Sequence, residues 1–139
     1  MRIERAERPG QLDAAAHLFD DPLVPTAVER FLADPAHHLL LAYDGERPVG
    51  FVSGVEMTHP DKGTEMFLYE LAVDEDHRRR GVGRALVEAL AELARSKGCY
   101  DVWVLTEEEN EAAVATYRRA GGSAPSTHVL IEFPLEDAR

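Results

Sequence analysis

Cysteine is nearly absent from this chain: Cys99 is the only one among 139 residues. An internal disulfide and a multi-cysteine metal site are thereby excluded. No apolar run is long enough to span a membrane, and the polar N-terminal stretch shows no signal-peptide pattern. A soluble, cytoplasmic protein is expected. Positive charge is also scarce, with 15 Lys and Arg against 26 Asp and Glu, for a formal net charge of −11. That balance argues against nucleic acid or an anionic membrane as partner, and it suits a cationic substrate. Several site motifs are missing as well. There is no Gly-Lys-Ser/Thr for a P-loop and no Gly-x-Ser-x-Gly serine elbow, and Leu86 stands where a dinucleotide fold wants its third glycine. The six histidines, His17, His37, His38, His59, His77 and His128, show no zinc-binding spacing, so no metal is expected.

What is present fits one domain over residues 1–139, large enough to bury a core without staples. The organising stretch is residues 66–98. Residues 66–73, MFLYELAV, are almost all apolar, as for a strand covered on both faces, and Glu70 alone breaks the run. A basic turn follows, Arg78-Arg79-Arg80-Gly81-Val82-Gly83-Arg84. Then Val82, Ala85, Leu86, Ala89, Leu90, Leu93 and Ala94 recur at helical spacing, and Gly98 stands where a helix C-cap takes a left-handed residue. A helix N-terminus leaves backbone N–H groups unpaired and carries positive partial charge. Glycines admit a ligand close to the backbone, and arginines present forked donors for phosphate oxygens. Taken together, these features predict anion binding rather than an ordinary solvated turn.

The residues Arg78-x-x-Gly81-x-Gly83 resemble the Arg/Gln-x-x-Gly-x-Gly/Ala signature of the GCN5-related N-acetyltransferase superfamily. A second stretch, Asn110-x-x-Ala113-x-x-x-Tyr117, resembles its second signature. The resemblance implies an α/β (α+β) fold of that type: a mixed central sheet of about six strands with about four helices, in which antiparallel strands precede a strand–helix–strand crossover. It also implies acetyl-coenzyme A as co-substrate. The pyrophosphate is then expected on Arg78, Arg79, Arg80, Gly81, Val82, Gly83 and Arg84. The pantetheine arm is expected against Leu71, Ala72 and Val73, in a gap between two splayed parallel strands. Asn110 and Ala113 are further expected cofactor contacts, although Asn110 is equally a good helix N-cap.

Amine acetylation needs a base, because an alkylammonium with pKa near 10.4 is free amine only about once in 10³ molecules at pH 7. Glu70 is the candidate, since an unpaired carboxylate in an apolar strand is costly unless it is used. Its bland alternative is a carboxylate paired with a buried arginine or facing a wet cleft. The resemblance assigns Tyr117 as general acid to the departing sulfur. Backbone N–H groups near Val73 are expected to polarise the acyl carbonyl. Within the superfamily the chain looks most like the aminoglycoside 3-N-acetyltransferases, on Leu68-Tyr69-Glu70-Leu71-Ala72-Val73, His77-Arg78-Arg79, Gly81 and Ala113-Val114-Ala115-x-Tyr117. It departs from them at Glu70, where those relatives carry Asp, and at Gly83, where they often carry Ala. A polycationic acceptor implies acidic contacts, and Glu107, Glu108, Glu109, Glu132 and Asp137 are the candidates. Each of them is otherwise a solvated surface acid. Another acceptor amine (a polyamine, a peptide N-terminus or a lysine) would use the same core. A non-catalytic acyl-coenzyme A-binding protein is the rival of another class.

The remaining elements are read from pattern. A weak opening strand spans residues 2–6, a helix residues 9–19, and Pro25 starts a second helix. Residues 38–43 and 49–57 form a hairpin around Asp44-Gly45. Residues 100–106 form the strand parallel to the central one. A helix from Asn110 to Ala120 follows, and residues 127–133 form a last strand. Relatives often form homodimers through C-terminal strands. Whether residues 129–133 pair within the chain or with a second copy stays open.

Overall fold

The computed structural model describes residues 1–135. Asp137 lies outside the described residues. Five strands form one sheet: β1 (Arg2–Arg5), β2 (His37–Asp44), β3 (Arg47–His59), β4 (Gly63–Val73) and β5 (Val102–Val104), in the order β1-β2-β3-β4-β5. The first four run antiparallel, and β4 and β5 pair in parallel. The helices are α1 (Pro9–Ala14), α2 (Pro25–Ala33), α3 (Val82–Ser96) and α4 (Glu111–Arg119). The helix expected over residues 9–19 is cut short: α1 ends at Ala14, and a single 3₁₀ turn, Ala16–Leu18, carries the chain on.

Strand alternation distributes the apolar residues to two layers. Leu40, Ala42, Val52, Met66 and Leu68 meet the Val82, Leu86, Leu90 and Ala94 stripe of α3 on one face. Leu39, Leu41 and Phe51 meet Leu12 and Ala15 on the other. The glycines of β3 set how close α3 comes. A Cβ at Gly54 would lie 3.0 Å from Leu90 Cδ1, and one at Gly50 would lie 3.1 Å from Leu86 Cδ1, both on α3. At both positions the missing side chain lets the helix sit low on the sheet.

Two irregularities shape the far end of β4. Its ladder with β5 covers only Met66↔Val102, Phe67↔Trp103 and Leu68↔Val104. β5 ends at Val104, so beyond Leu68 that side of β4 has no ladder partner among the described residues, and the strand expected over residues 100–106 is shortened to Val102–Val104. On the other side, Ser53 pairs with Glu70 but Gly54 pairs with Leu68, so Tyr69 is an extra, bulged residue. A bulge shifts the alternation by one. Leu68 and Leu71 therefore both face the α3 layer, while Glu70 and Ala72 turn toward the α1–α2 side.

The expected sixth strand is corrected. Residues 123–135 are exposed, carry no strand assignment and join no ladder among the described residues. A strand is held by its neighbour's backbone, and here this segment has no neighbour.

Candidate active site

β4 ends at Val73, a 3₁₀ turn spans Glu75–His77, and residues 78–81 then carry the chain into α3. Arg79 and Gly81 both take left-handed backbone, φ 63° and 81°, and Gly81 is the N-cap residue of α3. Arg78 Nε donates to the Val73 carbonyl at 3.3 Å, which folds the turn back onto the strand. An ion pair of Arg47 with Asp74 at 3.2 Å and a hydrogen bond between His77 and Asp44 at 3.0 Å brace it. The first N–H groups of α3 have no intrahelical partner, so the turn presents donors and guanidinium groups together. A Cβ at Gly81 would meet nothing within 4 Å, so the space before the loop is open. At Gly83 it would meet Thr116 Cγ2 at 3.2 Å. Gly83 therefore stands where α3 passes against α4, and the neighbouring threonine leaves little room for a side chain.

This turn floors a cavity of about 1380 Å³. Leu71, Ala72 and Val73 line it from β4, Arg78, Arg79, Gly81, Val82, Gly83 and Arg84 from the loop and α3, and Ala113 and Tyr117 from α4. A long anionic ligand with an apolar arm fits this wall: donors at one end, the unpaired flank of β4 at the other. Of the expected cofactor contacts, Arg80 and Asn110 are not among the lining residues. Asn110 instead caps α4, its Oδ1 accepting from the Ala113 N–H at 3.1 Å.

Glu70 is not among the residues that line the cavity; it directly precedes Leu71, the first β4 residue that does. Its backbone N–H donates to Ser53 Oγ at 3.2 Å, and Ser53 is buried. Among the described residues its carboxylate accepts no hydrogen bond from a side chain and meets no cation within 4.0 Å. Burial pushes its pKa up, and the negative charge of Asp20 pushes it in the same direction. Tyr117 is half-buried against the α3 layer, and burial raises its pKa too. The pair therefore comprises a base stronger than an ordinary carboxylate and a phenol that holds its proton firmly.

The expected acidic contacts are elsewhere. Glu107, Glu108 and Glu109 occupy an exposed turn after β5, and Glu132 lies on the exposed C-terminal segment. None of the four lines the cavity. The wall facing the loop comes instead from the segment after α1: His17, Leu18 and Asp20. His17 Nε2–H donates to the Pro48 carbonyl at 3.0 Å, anchoring that segment over the start of β3. Sequence reasoning missed these residues. The available signal was weak: two ionisable side chains, three apart, between two proline-marked helices. Among the described residues no group of His, Cys, Asp and Glu is arranged to hold a metal ion. No helix among them is long and apolar enough to cross a membrane.

The profile of the Acetyltransferase (GNAT) family matches residues 4–122, and the chain belongs to that family. It is a GNAT acetyltransferase, and acetyl-coenzyme A is the acyl donor that the cavity's loop and open strand flank suit. The chain is 33% identical over 116 residues to the N-alpha-acetyltransferase RimI of Mycobacterium tuberculosis, covering 84% of this chain and 71% of that protein. It is 39% identical over 92 residues to a mycothiol acetyltransferase of Geodermatophilus obscurus, covering 63% of this chain and 29% of that protein. Among solved structures, an aminoglycoside acetyltransferase from an uncultured soil metagenomic sample, in complex with sisomicin, superposes with a TM-score of 0.88 at 20% identity. That match covers 97% of this chain and 96% of the other. An aminoglycoside antibiotic 6'-N-acetyltransferase from Acinetobacter haemolyticus superposes with a TM-score of 0.80 at 20% identity, covering 98% and 100%. At these identities the superpositions show a shared fold.

Proposed function

We propose that this chain transfers the acetyl group of acetyl-coenzyme A directly to an amine of a cationic small molecule of the aminoglycoside type, at the 3-amino group. The observation that carries the reading is Glu70: a carboxylate without a partner, turned by the Tyr69 bulge toward Asp20. Bound acetyl-coenzyme A supplies an electrophilic carbonyl and a thiolate leaving group. Arg78, Arg79 and Arg84, with the α3 N-terminus, hold the pyrophosphate. Leu71, Ala72 and Val73 align the arm along the open flank of β4. Asp20 draws the acceptor ammonium toward Glu70, which takes its proton. The freed amine forms the C–N bond as the C–S bond breaks; Tyr117 gives its proton to the sulfur, and the second proton shed by the new amide nitrogen restores the phenol. A thiolate with reference pKa near 8.5 leaves tolerably without that proton, so Tyr117 assists and is not indispensable. The net charge of −11 and the sequence likeness in residues 68–73 and 113–117 support a polycationic acceptor. With Glu107, Glu108, Glu109 and Glu132 outside the cavity, the acceptor role passes to Asp20, which lines it, and to Glu70 beside Leu71.

A second reading is acetylation of a peptide N-terminus, favoured by the 33% identity to an N-alpha-acetyltransferase. Thiol release from acetyl-coenzyme A separates the two. Turnover with gentamicin and sisomicin but not with an alanine-ended peptide supports the first reading, and the reverse supports the second. Cofactor binding without turnover on any amine would overturn both.

A further inference from the structure

The bulge at Tyr69 sets more than the direction of Glu70. It places Tyr69 and Glu70 side by side on the sheet face away from α3, and Phe67 shares that face further back along β4. Trp103 pairs with Phe67 across the parallel ladder and joins them. The Phe67 and Trp103 ring centroids lie 4.4 Å apart, and Tyr69 meets Phe67 edge-on at 5.8 Å. None of the three packs into either core layer. The α1–α2 layer lies over β2 and β3 and leaves this aromatic strip open toward solvent: Tyr69 is 66% exposed.

Both ends of the strip are acidic. Glu70 and Asp20 stand at one end. At the other, alternation carries Glu65 to the face of Phe67 and Asp101 to the face of Trp103, and the Met66 N–H donates to the Asp101 carbonyl at 3.0 Å. The Asp101 carboxyl has its pKa pushed up by burial first, then by the charge of Glu65 and a hydrogen bond to it. Among the described residues no cation lies within 4.0 Å of either carboxylate. At the usual strand rise, Glu65 and Glu70 are roughly 15 Å apart, the reach of a short oligosaccharide.

We propose that this face of β4 and β5 is the acceptor bed: the rings of a polycationic aminoglycoside lie along Tyr69, Phe67 and Trp103, with the reacting amine at Glu70 and a remote ammonium between Glu65 and Asp101. The inference deepens the function proposed above and rests on it. Charge complementarity selects the occupant. An aromatic strip alone would suit an apolar partner, whereas acids at both ends suit a ligand with cations at both ends. Ammonium groups beside the rings are attracted by the negative ring faces as well as by the carboxylates. A cation between Glu65 and Asp101 also relieves the repulsion of two close acids. A peptide with a single N-terminal ammonium would leave that far end unfilled.

Trp103 is the only tryptophan, so its emission reports occupancy of the strip. The test titrates the full chain with sisomicin in the presence of coenzyme A, following Trp103 fluorescence, with steady-state rates measured alongside. The expected result is a saturable emission change whose midpoint tracks the sisomicin KM. Tyr69→Ala and Asp101→Asn should each raise that KM by about tenfold, while kcat moves by less than about twofold and the KM for acetyl-coenzyme A stays unchanged. A general loss of structure would not give that split. Both side chains are exposed, and if one variant fails to fold, the other decides. Unmoved Trp103 emission, or a sisomicin KM unchanged in either folded variant, overturns this inference, while wild-type turnover of sisomicin leaves the proposed function standing. No turnover of sisomicin by the wild-type chain overturns the proposed function, and this inference with it. If Tyr69→Ala changes the solution mass by light scattering and not the KM, the face is a contact between copies and the inference falls.

Discussion

Glu56 and Glu70 are both half-buried in this sheet, and they differ in whether the carboxylate has a partner. Glu56, near one end of β3, accepts from the Nε2–H of wholly buried His38 at 2.7 Å. Glu70, toward the opposite end of β4, has only its backbone tied, to Ser53, and its carboxylate faces another acid. Burial of a carboxylate costs free energy in both places. At Glu56 a hydrogen-bonded imidazole offsets the cost and the result is structure. At Glu70 nothing in the protein offsets it, and the cost appears as a raised proton affinity. Burial alone does not distinguish the two; the withheld partner is what supports the role proposed for Glu70.

The largest effect expected from breaking this contrast is at Glu70 itself. Glu70→Gln should lower kcat/KM by about 10²–10⁴, the usual worth of a positioned base. Its stability should move the other way. A carboxylate whose folded pKa is raised destabilises the native state at every pH above that pKa, and the penalty vanishes as pH falls below the ordinary value of 4.5. Removing the charge should therefore raise the neutral-pH thermal midpoint, as calorimetry would show. Tyr117→Phe should reduce kcat/KM less than Glu70→Gln does, because the thiolate is a serviceable leaving group; the opposite order in steady-state rates would remove Glu70 from its role.

Glu56→Ala should invert the pattern. It leaves a buried imidazole unsatisfied, costing about 1–3 kcal/mol in a urea titration, and leaves kcat/KM nearly unchanged. A smaller effect follows from His38. Burial lowers its pKa from 6.5 despite the Glu56 hydrogen bond. A histidine depressed on folding contributes stability that is present above 6.5 and lost as pH falls toward its folded value. Denaturation midpoints should decline in that acid window, and less so in His38→Gln.

Much of this was legible in the residues themselves. The loop could be read because anion binding at a helix N-terminus needs Gly81, Gly83 and nearby arginines at short, fixed spacings. Glu70 could be read as an oddity of type, a charge in an apolar strand. Its orientation could not: strict alternation from Leu68 would place it beneath α3, and only the bulge at Tyr69 turns it over. Pairing register depends on the neighbouring strand, which local pattern does not contain. Glu107, Glu108 and Glu109 looked like an acceptor wall because they follow the second parallel strand, yet that position is an exposed turn. Asp20 and His17 escaped notice because long-range packing brings them to the cavity, His17 through the Pro48 carbonyl. Residues 127–133 have the composition of a strand, but a strand also requires a neighbour, and none is present among the described residues.

The most direct measurement is kcat/KM against pH for the wild-type chain and for Glu70→Gln, with acetyl-coenzyme A binding measured in parallel by calorimetry. The expected result is a wild-type acid limb lying above 4.5, absent from a variant that binds the cofactor equally well and turns over far more slowly. A variant that retains both the limb and the wild-type rate would contradict the assignment of Glu70 as the base.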